Sequence, residues 1–343
     1  MNLIAFSLLG REIYWSALVI MLGVLLSFAL TLRLWRQRGG ELSPVLSLFV
    51  LGFAFSVLFA RLLHWYFNAE SYASLSSAMT DFSNGSFCLQ GMLLGVWLAA
   101  WLTKLTRLTD STGKLLDAAA PGVCLLIAFI RLSAFFNTTC RSKILITNPR
   151  LQFLPIASGM TDAAGNTVYR MATFAIEFLL MLGVTLIVWA MFRRMRRRMR
   201  PPCSDTGNVA RLATVIYGAV EIVMDSTRYD SPLMHFRLIS YLNQYSAFIS
   251  LAQIFAAATV LGILIYYSRC AIKARGFLWF LPLDWVLFGV CAFCIGKLGE
   301  YNVQRYATYG RCYAIMSVSC AVMVLTILIP WYACRRKRRR RAR

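Results

Sequence analysis

The sequence predicts an all-α, polytopic membrane protein of about nine transmembrane helices, and three observations carry that expectation. The 343 residues are 59% hydrophobic and 15% charged, with a mean hydropathy of +0.62, far more apolar than a water-soluble domain of this length. Runs such as YWSALVIMLGVLLSFALTL, VLSLFVLGFAFSVLFA and CAVMVLTILIPWYAC have the length and apolarity that a hydrocarbon core of about 30 Å asks of a helix. The formal charge of +22 is spread periodically: Arg33, Arg36 and Arg38; Lys104 and Arg107; Arg193 to Arg200; Arg269 to Arg275; and the terminal RRKRRRRAR.

Each basic cluster follows an odd-numbered apolar run. Lys and Arg near span ends stay in the cytoplasm, so the pattern puts the N-terminus outside and the basic tail inside. Orientation thus accounts for the charge, and no nucleic-acid partner is expected. The tail adds attraction to anionic membrane lipid, worth ~1 kcal/mol per residue near the surface.

Apolar windows place spans near residues 14–33, 44–64, 87–103, 115–136, 171–192, 208–226, 246–268, 279–296 and 312–333. The first lacks a basic leader and is too long for a cleaved signal segment, so it is expected to be retained. The sixth, RLATVIYGAVEIVMDSTRYD, carries two acids and reads as interfacial by hydropathy alone; keeping it preserves the charge alternation. The stretch from about 138 to 170 forms a small external cap, with Gly165-Asn166 turning between two short strands. The division expected is a membrane domain over 1–276 and, over 277–343, two further spans with a basic tail. The ten cysteines show no paired metal-ligand spacing, and neither a metal nor an organic cofactor is expected.

Ionisable side chains at membrane depth cost at least ~2.5 to 3.5 kcal/mol each, so they face protein or water and mark sites. Asp117 and Arg131 lie fourteen residues apart on the fourth span, roughly 21 Å along the axis and close to one face. On the sixth, Tyr217, Glu221, Asp225 and Arg228 follow at spacings of four, four and three, a polar seam about 80° wide. That seam reads either as an intrahelical salt-bridge ladder or as the wall of a polar cavity. Glu177, Gln90 and Gln253 are single polar residues in the fifth, third and seventh spans; His64 reads as an interfacial residue. By the expected topology Arg61, Gln90, Arg131, Glu177, Asp225 and Arg228 fall in the outer half of the bilayer or at its rim. Guanidinium groups there suit a lipid headgroup phosphate, which they pair bidentately.

The order and spacing of these residues resemble the bacterial prolipoprotein diacylglyceryl transferases over about Ile13 to Tyr267. IYWSAL, with Tyr14, is similar to the family's Trp-Tyr-Gly segment, and ARLLHWYFN, with Arg61, to its Gly-Arg-Leu-Gly-Tyr segment. QGMLLG, with Gln90, Gly91 and Gly95, resembles His-Gly-Gly-x-x-Gly. Asp117 followed by IRLSAFFNTT resembles the Asp and the Gly-Arg-Leu-Gly-Asn-Phe-x-Asn-Gly-Glu of the family, carrying over Arg131 and Asn137. YRMATFAIE keeps Arg170 and Glu177 at the spacing of Arg-His-Pro-Ser-Gln-Leu-Tyr-Glu. YGAVEIVMDSTR resembles Tyr-Gly-x-x-Arg-Phe-x-x-Glu-x-x-Arg, and SLAQI, with Gln253, resembles Ser-x-Gly-Gln. The sequence departs from the family at Gln90 for His, Ala134 for Asn, Thr139 for Glu and Glu221 for Arg.

The resemblance implies transfer of diacylglycerol from phosphatidylglycerol to the lipobox cysteine thiol of a prolipoprotein, at the plasma membrane of a bacterium. It implies a catalytic set of Arg131, Glu177, Asp225 and Gln90. Phosphatidylglycerol would be bound by Arg131, Arg61, Arg228, Tyr14, Tyr217 and Asn137, and Asp117, Gln253, Gly91 and Gly95 would be structural. The implied partners are phosphatidylglycerol and prolipoprotein signal peptides. An amide does not titrate near neutrality, so Glu177, Asp225 or Glu221 must take the histidine's proton. The substitutions also leave open a non-catalytic relative that binds lipid or lipoprotein.

Overall fold

A computed structural model describes residues 4–8, 11–67, 72, 74–80, 88–136, 141–161, 165–198, 206–228, 249–276, 278–306 and 309–341. The elements in order are strands β1 (Ile4–Leu8) and β2 (Arg11–Tyr14), helices α1 (Trp15–Arg36), α2 (Leu42–Phe67), α3 (Leu75–Thr80), α4 (Leu89–Leu105) and α5 (Thr112–Ser133), a 3-10 turn at Ala134–Phe136, α6 (Pro149–Gln152), strands β3 (Ala157–Thr161) and β4 (Thr167–Met171), then α7 (Thr173–Arg198), α8 (Asn208–Thr227), α9 (Leu251–Arg275), α10 (Phe280–Phe293), a π-helical turn at Cys294–Glu300, α11 (Tyr301–Tyr306) and α12 (Tyr309–Arg341). Each of the nine expected spans contains a helix among the described residues. Seven are long and apolar enough to cross a membrane, α4 is a shorter apolar helix, and the acid-bearing α8 falls outside both groups. This is a polytopic, all-α membrane protein.

The described chain divides into two compact units. One comprises Ile4–Ile130 and Met181–Ala213. Within it α4 lies directly on α2, because Gly91 and Gly95 remove the side chains that would hold the helices apart. A Cβ at Gly91 would collide with the Phe59 carbonyl and the Ala60 Cα, and one at Gly95 with the backbone of Phe55 and Ser56. The Ser56 hydroxyl donates to the Met92 carbonyl across that seam at 2.9 Å. Gly23 of α1 and Gly122 of α5 similarly admit Phe129 and the Ser27–Thr31 face. The stretch before the first span pairs as an antiparallel hairpin, β1 with β2, with Leu8 opposite Arg11.

The other unit comprises Arg131–Leu180 and Thr214–Arg343. The connection between α5 and α7 forms the expected hairpin: β3 pairs with β4 from Ala157 opposite Met171 to Thr161 opposite Thr167. Gly165 takes φ +82° at the turn, a conformation that needs glycine. A bridge from Ser142 to Arg228 ties this segment to the residue that follows α8, and another from Leu145 to Arg170 ties it to β4. Below it one hydrophobic core joins Val215 and Ile222 of α8, Val260 and Leu264 of α9, Phe288 of α10 and Met316 of α12. The last two apolar helices therefore pack on α8 and α9.

Candidate active site

Arg131 ends α5, Glu177 sits one turn into α7, and Glu221 lies fourteen residues into α8. The guanidinium of Arg131 meets both acids. Its Nε lies 2.9 Å from Glu177 Oε2, and its Nη2 donates to both Glu221 oxygens at 2.7 and 2.8 Å. All three are buried, at 6, 2 and 3% exposure. Burying charge is tolerated only where partners are this close, and removing one partner of such a set costs about 3–5 kcal/mol. One cation against two carboxylates leaves the trio with a formal charge of minus one. Tyr217, one turn before Glu221, is buried beside them.

One turn further along α8 a second polar group begins. Asp225 accepts from the Ser250 hydroxyl through Oδ2 and lies 3.3 Å from Arg228 Nη1 through Oδ1. Ser250 caps α9 in a capping box with Gln253: its hydroxyl accepts from the Gln253 N–H, and Gln253 Oε1 accepts from the Ser250 N–H. The Gln253 amide donates to the Ile222 carbonyl of α8 at 3.2 Å and to Glu300 Oε2 at 2.9 Å. From the cap side, Lys143 N–H donates to the Thr227 carbonyl at 2.8 Å, and the Ser142 hydroxyl donates to the same oxygen at 3.0 Å. Burial lowers the Lys143 ammonium pKa, an effect the charges of Glu300 and Asp225 oppose.

In the other unit Asp117 accepts three backbone N–H groups at the start of α8: Gly207 at 2.9 Å, Val209 at 2.8 Å and Ala210 at 3.0 Å. It is fully buried, with Arg38 Nη2 4.0 Å away. The first N–H groups of a helix lack intrahelical partners and attract negative charge, so Asp117 serves α8 rather than its own helix. Arg61 is buried near the end of α2. Gln90, where the resemblance expects histidine, accepts from the Cys88 thiol at 3.1 Å. Tyr14 is exposed just before α1 and donates to Glu12 at 3.2 Å. Asn137 lies outside the described residues.

The structure thus joins Arg131 with Glu177, and Asp225 with Arg228 and Gln253. It adds Ser250 and Lys143, which the sequence reading did not single out, and Glu300, a charged residue of the last two spans to which the sequence assigns no purpose. Ser250 was legible, since Ser-x-x-Gln before an apolar run is a capping-box signature; Lys143 and Glu300 approach only through tertiary packing. Arg141, whose Nη1 donates to the Gly159 carbonyl at 2.6 Å, ties the cap to its own hairpin and has its pKa lowered by burial.

A polytopic all-α chain that buries arginine against carboxylates near the ends of its helices belongs among membrane-embedded proteins with a polar site. The sequence matches the prolipoprotein diacylglyceryl transferase family over residues 3–268, and the chain belongs to that family. A phosphatidylglycerol–prolipoprotein diacylglyceryl transferase of Clostridium novyi is 28% identical over 144 residues, 42% of this chain and 56% of that protein. That alignment spans little more than half of the relative, whereas others run nearly full length. One from Clostridium kluyveri is 27% identical over 247 residues, 71% of this chain and 92% of the relative. One from Streptococcus equi subsp. zooepidemicus is 24% identical over 268 residues, covering 77% and 98%.

Proposed function

We propose that this chain is a phosphatidylglycerol–prolipoprotein diacylglyceryl transferase of a bacterial plasma membrane, with its N-terminus outside and its basic tail in the cytoplasm. The observation that carries the reading is the buried guanidinium of Arg131 between Glu177 and Glu221, in a chain whose family match covers residues 3–268. The lipobox cysteine of a prolipoprotein signal peptide loses its thiol proton to a carboxylate, Asp225 or Glu177. The thiolate attacks the glycerol carbon that bears the phosphoester oxygen. A C–S bond forms, that C–O bond breaks, and glycerol phosphate leaves with the electron pair.

Charge grows on the departing phosphate, so cations placed beside it stabilise the transition state. Arg131 supplies that charge, helped by Arg228, and Tyr217 beside them orients the lipid. Gln90 contributes an amide that positions and does not titrate. For a phosphate to reach Arg131, one of its two carboxylates must take up a proton or turn away. Glu177, on accepting the thiol proton, does the former, which couples deprotonation of the nucleophile to release of the arginine.

A second reading has its own observation. Glu221 stands where the family resemblance expects arginine and binds the Arg131 guanidinium through both oxygens. A guanidinium held permanently that way leaves a membrane protein that binds lipid or lipoprotein without transfer. Mass measurement on a lipobox peptide incubated with phosphatidylglycerol and the purified protein separates the two. Transfer adds one diacylglyceryl unit; no gain, where a standard enzyme works, leaves the binding reading. Complementation of a strain depleted of its own transferase separates them in the same way in vivo.

A further inference from the structure

The family match ends at residue 268, inside α9, yet a buried carboxylate from beyond that point reaches the polar group at the end of α8. Glu300 closes the π-helical turn after α10 and is 3% exposed. Single π turns carry a cost in backbone geometry and recur at functional sites. Both Glu300 oxygens are engaged: Oε2 accepts from Gln253 at 2.9 Å and Oε1 from Gln304 at 2.7 Å. Gly299 gives the room, since a Cβ there would collide with Met316 of α12. A second tie comes from the same C-terminal region, where the Tyr313 hydroxyl donates to the Ser226 carbonyl at 3.1 Å.

From Glu300 an unbroken chain of hydrogen bonds runs into the site. The same Gln253 amide nitrogen that donates to Glu300 donates to Ile222, the residue after Glu221. The amide oxygen of Gln253 holds Ser250, and Ser250 holds Asp225. We propose that Glu300 is a positioning residue of the transfer site, by which the C-terminal helices fix the last two turns of α8, from Glu221 on, and the Arg228 that follows them. Its carboxylate orients the Gln253 amide. That amide cannot serve both Ile222 and Ser250 if it rotates, because nitrogen and oxygen would exchange places and donor would face donor.

This inference rests on the transferase reading for its activity measurement, so a readout independent of activity is paired with it. In the full-length protein Glu300→Ala lowers kcat about tenfold while KM for phosphatidylglycerol stays within about twofold. Glu300→Gln keeps an acceptor and stays within about threefold of wild type with the same pH profile. The double variant Glu300→Ala/Gln253→Ala is no worse than the poorer single variant, since both break one chain. Amide exchange across Glu221–Arg228 speeds up about tenfold in Glu300→Ala and is unchanged across Asn208–Ala213. Arg305→Ala, on an exposed position of α11, is the neutral control.

Loss of all activity in Glu300→Gln together with an altered pH profile would make Glu300 a proton carrier and overturn the positioning role. So would exchange at α8 that is identical in Glu300→Ala and wild type. A wild-type protein that transfers nothing defeats the transferase reading alone, and the exchange result still decides the role of Glu300.

Discussion

Arg131 donates to two acids on two other helices, and one of them, Glu221, sits at a position where the family resemblance expects arginine. A second cation there would have repelled Arg131, whereas the carboxylate neutralises it. If Arg131 carries the leaving phosphate, Arg131→Ala lowers transfer by at least about 100-fold, measured as lipidated peptide formed per minute in detergent micelles. Retained activity in that variant would remove the phosphate role. Gln90→His introduces a titratable group and preserves or raises the rate, which is measured in the same peptide assay.

At the scale of the element, α8 is met by side chains of α5 at its start and again about two thirds of the way along. Asp117 accepts from the N–H groups of residues 207, 209 and 210, and Arg131 donates to Glu221. Fourteen residues separate Gly207 from Glu221, the same interval as separates Asp117 from Arg131. Asp117→Ala leaves three buried backbone donors without an acceptor and is expected to destabilise the protein by about 2 kcal/mol. Asp117→Asn, with one carbonyl oxygen, loses about half as much; thermal unfolding in micelles measures both. The glycines of α4 make a second test. Gly95→Leu drives a side chain into the backbone of α2 and is expected to cost about 3 kcal/mol or to block folding, while Gly183→Ala, which meets nothing within 4 Å, is neutral.

For the whole molecule, the number of crossings decides where its ends lie. Nine spans put the termini on opposite sides and eight put them on the same side, so α8, with Glu221 and Asp225 in its last turns, is the deciding helix. Its apolar face packs into the core of α9, α10 and α12 through Val215 and Ile222, and its acids pair with protein groups. A helix whose charges are satisfied internally crosses at little cost. Alkaline phosphatase fused at the N-terminus is therefore expected to be active and a C-terminal fusion inactive, with a C-terminal fluorescent protein bright. Matching results at both ends would remove one span.

The sequence by itself determined the fold class and the nine helical segments, because apolar length and charge periodicity are properties of consecutive residues that the bilayer reads directly. It also held the hairpin turn at Gly165 and the residue types of the site, since rare ionisable groups at membrane depth stand out one at a time. It missed the β1–β2 hairpin, which is too short to carry a periodicity. Only the tertiary structure decided who pairs with whom. That Arg131 meets Glu177 and Glu221, that Asp117 caps α8 instead of α5, and that Glu300 reaches Gln253 from beyond the family match are contacts between residues 46 to 93 positions apart. Such pairings depend on helix rotation and glycine-set spacing, which packing fixes only when every neighbour is in place.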